Sequence, residues 1–170
     1  PLNRLDTLKI LVVNIGFAEG GALSPWINRY AKADHLTLDP YKKSESLRTI
    51  QSKSEGYNLV VYAVGDQNEG VNSKSGDNAM YTASLVELGA YLMDVEKQLA
   101  GNVAKNAKSV FVLFGSARFF ASGAVTEKSS ALLVAEKVDY DRIDLSAQLV
   151  FGAIPSKGKL TDDLGIYKMG

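Results

Sequence analysis

Apolar positions along this chain fall in short, nearly continuous runs. The clearest are residues 8–14 (LKILVVN), 57–64 (YNLVVYAV), 109–115 (SVFVLFG) and 130–135 (SALLVA). They are rich in Val, Ile, Leu and aromatic side chains and do not alternate apolar with polar. Strands buried on both faces read this way, as in a parallel sheet covered by helices. Residues 35–38 form a weaker fifth strand candidate.

Helical spacing lies between the runs. Residues 25–33 follow Ser24, a candidate N-cap, with Pro25 at the first helical position. In residues 44–54, Leu47 and Ile50 share one face. Residues 83–99 carry Leu85, Leu88, Leu92, Val95 and Leu99 at helical intervals. Residues 141–151 form a last helix that must stop at Gly152, since glycine accepts the left-handed end conformation and Pro155 follows. A Gly158-Lys159-Leu160 segment is then expected to re-enter as a short strand. Alternating strands and helices predict an α/β fold: a three-layer α/β/α sandwich with a mostly parallel sheet of five to six strands.

Length and charge narrow the picture. The 170 residues suit one domain, 1–170, with a sizeable core. Nineteen basic residues match nineteen acidic ones, so no net field favours nucleic acid or an anionic membrane. Without cysteine there is no disulfide, thiol nucleophile or thiolate metal site. With His35 as the single histidine, a multi-histidine metal centre and a Ser-His triad are hard to build. No cofactor and no metal are expected. No apolar run reaches the length of a membrane span. The chain begins Pro1-Leu2-Asn3, as expected of a domain excised from a longer protein.

Ligands of open α/β sheets sit outside the carboxyl ends of the strands. Four loops qualify: residues 16–23, 65–78, 115–123 and 136–141. The first, with Gly16, Gly20 and Gly21 and with Asp39 some way on, has the outline of a dinucleotide site. It lacks G-x-G-x-x-G, and Glu19 would set a carboxylate beside the phosphates, so a glycine-rich turn is the better reading. Residues 152–159 depart from a P-loop in spacing, and no Ser or Thr follows Lys159. No G-x-S-x-G elbow is present.

The long polar stretch 65–78 holds Asp66, Asn68, Glu69 and Asp77. Paired carboxylates can act as acid and base or bind a cation. Long loops in compact domains are often functional. Asp66, Asn68 and Glu69 are therefore the binding candidates, for substrate or for a neighbouring domain. Arg118, Phe119 and Phe120 follow the fourth run and are interface candidates or a cap on the core. His35, beside Asp34, reads as a surface or hydrogen-bonded residue. Trp26 and Tyr30, four apart, read as core or docking surface.

Several segments together resemble the carboxyl-terminal α/β sandwich of glycoside hydrolase family 3, in its β-N-acetylglucosaminidase (β-hexosaminidase) branch. They are Lys9-Ile10-Leu11-Val12-Val13, Tyr57-Asn58-Leu59-Val60-Val61, Val112-Leu113-Phe114-Gly115, Leu133-Val134-Ala135-Glu136 and Ala147-Gln148-Leu149-Val150-Phe151-Gly152-Ala153 with Gly158-Lys159-Leu160. The resemblance spans nearly the whole chain. It implies a parent enzyme with a (β/α)8-type barrel that carries the catalytic aspartate and the His-Asp acid/base pair. No residue here matches those motifs, so the implied role is a non-catalytic companion that packs on the barrel of the same parent chain and meets carbohydrate only through it. In the β-glucosidase branch a sandwich loop supplies a glutamate acid/base; Glu69 and Glu136 are the nearest candidates, outside any matching motif. The sequence departs from the family at Phe114-Gly115-Ser116-Ala117, where Asn-Pro commonly follows the glycine. It departs again at Thr161-Asp162, where Pro-Val is usual. An extracytoplasmic parent is the expectation. The alternatives are a domain whose loop 65–78 contributes an acid/base or substrate contact, and an independent small-ligand or nucleotide-binding module.

Overall fold

A computed structural model of the chain describes residues 7–17, 23–38, 43–65, 108–114, 129–135 and 139–159. Among them the order is β1 (Ile10–Ile15), α1 (Ser24–Ile27), β2 (Ala33–Leu38), α2 (Lys43–Ser54), β3 (Leu59–Gly65), β4 (Lys108–Phe114), β5 (Ala131–Val134) and α3 (Tyr140–Val150). The strands form one five-stranded sheet in the order β2-β1-β3-β4-β5, and every pairing is parallel. This is the α/β sandwich expected from the apolar runs. The weak candidate at 35–38 is a full strand that begins at Ala33.

Parallel register sorts the side chains into two layers. Ile10, Val12, Leu59, Val61, Ala63, Val110, Val112 and Phe114 share one face. They pack with Leu23 and Ile27 from the α1 segment and with Ile143, Ala147 and Phe151 from α3. On the other face Leu11, Val13, Ile15, Val60, Tyr62, Val64, Phe111 and Leu113 are also buried, and Tyr62 stacks on Phe111 with centroids 4.6 Å apart. Right-handed crossovers put α2 on this second face, where Ile50 is fully buried. Burial on both faces is why the central strands lack polar alternation.

The amino edge of the sheet is tied by polar groups. The Asn58 side chain accepts from the Lys9 backbone N–H at 2.9 Å and donates to the Thr7 carbonyl at 2.9 Å. It thereby joins the entries of β1 and β3.

Helix α3 starts and stops as its sequence dictates. Asp139 caps it by accepting from the Arg142 backbone N–H at 2.8 Å, and the Arg142 guanidinium also pairs with this carboxylate. At the other end Gly152 has φ +71°. Its N–H donates to the Leu149 carbonyl, and the Ala153 N–H donates to the Gln148 carbonyl. This is a Schellman termination, and the arrest expected at Gly152 is where the helix ends.

Three expectations are corrected. The helix expected over 25–33 is four residues long. The Asn28 side chain accepts from the Ala33 backbone N–H at 2.9 Å and turns the chain directly into β2. Ser24 makes no side-chain cap bond, because its hydroxyl is taken by Asn14 inside the core. Gly158 and Lys159 are exposed and belong to no strand; Leu160 lies outside the described residues, as does the helix expected over 83–99.

Candidate functional site at the carboxyl edge of the sheet

In this strand order the chain runs outward from β1 to β2 and then crosses back to β3. The topological switch point therefore lies between the carboxyl ends of β1 and β3, where open α/β sheets usually bind ligands. The residues that meet there are Gly16 and Phe17 after β1 and Gly65 at the end of β3.

Gly16 adopts φ +78°, a left-handed conformation that turns the chain back at the end of β1. Phe17 follows and is buried. Its ring lies against Gly65 so closely that a Cβ built on that glycine would sit 2.6 Å from the Phe17 Cζ atom. The same ring meets Phe114 edge to face, with centroids 5.8 Å apart and an interplanar angle of 88°. An aromatic side chain of the protein thus covers the described floor of the switch point. Gly65 is the residue that admits it.

Beside this plug, on the α1 and α3 face, Asn14 is fully buried and its side-chain N–H donates to the Ser24 Oγ at 2.8 Å. The carboxylate of Asp139, which follows β5, is engaged at the amino end of α3. Among the described residues no three His, Cys, Asp or Glu side chains gather where they could hold a metal ion.

Among the described residues, the titratable group with a shifted value lies at the opposite edge. The Tyr57 hydroxyl donates to Asp34 Oδ2 at 2.5 Å. That hydrogen bond, then partial burial and the nearby carboxylate charge, push the Tyr57 hydroxyl above its ordinary value. The pair links the approach to β3 with β2, so it braces the amino edge. His35 is exposed on β2.

Trp26 and Tyr30 belong to a seam between the α1 segment and α3. Trp26 meets Tyr140 edge to face at 6.0 Å, and Tyr30 stacks on Phe151 at 5.3 Å. The Arg29 guanidinium lies 3.9 Å from the Trp26 ring centroid and 3.8 Å from Asp144 Oδ1. The spacing of Trp26 and Tyr30 left core and docking surface open; their partners, Tyr140 on α3 and Phe151 just past its end, have no local signature.

Asp66, Asn68 and Glu69 lie outside the described residues, as do Arg118, Phe119, Phe120, Glu19, Asp39, Asp77 and Glu136. Asp66 follows Gly65 directly, so the chain enters the 66–78 stretch from the switch point itself. Sequence reasoning missed Phe17: the segment read as a glycine-rich turn, and nothing local shows that its aromatic residue folds onto a glycine of another strand.

No protein-family model and no curated protein matches the chain. Among solved structures it is similar to a glycoside hydrolase family 3 β-N-acetylglucosaminidase from Paenibacillus sp. str. FPU-7, with a TM-score of 0.62 and 14% sequence identity. The likeness covers 89% of this chain and 26% of that one. This chain thus spans about a quarter of the length of the enzyme it resembles. Its fold is like that of one segment of a larger glycoside hydrolase. No helix among the described residues is long and apolar enough to cross a membrane.

Proposed function

We propose that the chain is the accessory carboxyl-terminal sandwich of a family 3-like glycoside hydrolase of the β-N-acetylglucosaminidase type. It packs on a catalytic barrel of the same parent chain, is one domain over 1–170, and is not catalytic alone. The observation that carries this reading is the lopsided coverage, nearly all of this chain against a quarter of the enzyme. The switch point adds support. Hydrolysing a glycoside takes two carboxyl groups set about 5 to 9.5 Å apart around the bond. The described part of this edge presents Phe17, Gly65 and Phe114, while Asp139 is held at its helix.

The test is turnover of a chromogenic N-acetyl-β-glucosaminide by the 170-residue chain and by the full gene product. The expected result is activity in the full product and none in the chain alone. Enzymatic turnover by the chain alone, or a full product without a barrel, overturns the proposal.

A second reading is favoured by one feature: β3 ends at the switch point with Gly65, and residues 66–78 follow it in the sequence. In that reading Asp66, Asn68 or Glu69 reaches the sugar site of the parent. Glu69→Gln in the full product separates the two. The accessory reading expects activity within a few-fold of the parent, and a loss of orders of magnitude in a folded variant favours the contributing loop.

A further inference from the structure

We draw no further inference here: the strongest candidate, the surface patch of Trp26, Tyr30 and Tyr140 along the seam between α1 and α3, carries nothing because nothing in the structure shows what covers it.

Discussion

Replacing Gly65 by alanine gives a sharp test of the aromatic plug, because two effects predict opposite signs. At an ordinary extended position, glycine to alanine removes freedom from the unfolded chain and stabilises by about 0.4–1 kcal/mol. Here the new Cβ would stand 2.6 Å from Phe17 Cζ, 3.1 Å from Phe17 Cε1 and 3.1 Å from Phe114 Cβ. The Phe17 ring must retreat, yet it is buried and braced edge to face on Phe114. The Phe114 Cβ is fixed to the β4 backbone and cannot yield. Overpacking of this kind costs about 1–3 kcal/mol, and loss of the aromatic pair falls within that range. Gly65→Ala should therefore destabilise by about 1–2 kcal/mol after the entropic gain is subtracted. Urea unfolding reads this as a lower midpoint at constant slope. The second arm is a cycle with Phe17→Ala, which by itself should cost about 3–5 kcal/mol. In that background both close contacts with the Phe17 ring are gone and only the 3.1 Å approach to Phe114 Cβ remains, so the Gly65→Ala penalty should shrink clearly below its value in the unmodified chain. An unchanged penalty in the Phe17→Ala background, or a gain in the unmodified one, would refute the assigned packing.

Two further predictions concern the ends of elements. Because the folded Tyr57 hydroxyl titrates above its unfolded value, its contribution is fully present below about pH 10 and fades as pH rises through the folded value. Tyr57→Phe should lower stability by no more than about 1 kcal/mol near neutrality, since the pair is open to solvent, and the gap should close above pH 10 in denaturant titrations. Gly152→Ala forces a side chain into φ +71° and should cost about 1 kcal/mol in unfolding midpoint, with α3 helicity otherwise kept.

The strands were legible because a sheet covered on both faces leaves a mark in every residue: β1 and β3 are buried from end to end. The stop of α3 was legible because the left-handed residue is the local glycine of its own helix. What escaped depends on partners remote in sequence. Ser24-Pro25 has the look of a helix start, but the Ser24 hydroxyl is claimed by Asn14 from the adjacent strand. The helix over 25–33 is cut short because Asn28 prefers to hold the first N–H of β2. The carboxyl-edge loops were identified by topology alone. What fills the switch point follows from the packing of Phe17 on Gly65, which no periodicity encodes. Residues 66–78, where the binding candidates lie, remain a sequence expectation.

The plug also bears on the rival view of an independent nucleotide or small-ligand module. A ligand that takes the place of the Phe17 ring on Gly65 at the β1/β3 switch point must first displace it. Exposing a buried phenylalanine costs about 1.5–3 kcal/mol, and breaking its contact with Phe114 adds about 0.5–1.5 kcal/mol. The open form would then be populated at roughly one part in 30 to one in 2,000, and the apparent affinity of any ligand there would fall by that factor. Removing the ring removes the penalty. If the rival view holds, Phe17→Ala should strengthen nucleotide binding by a similar factor, seen as a larger ligand-induced rise in melting temperature. If the chain is a companion to a catalytic barrel, neither the original nor the variant responds to nucleotides. The variant shows only the loss of stability expected of an emptied aromatic pocket. A nucleotide-dependent shift that grows in Phe17→Ala would transfer the weight of the argument from the companion reading to the binder.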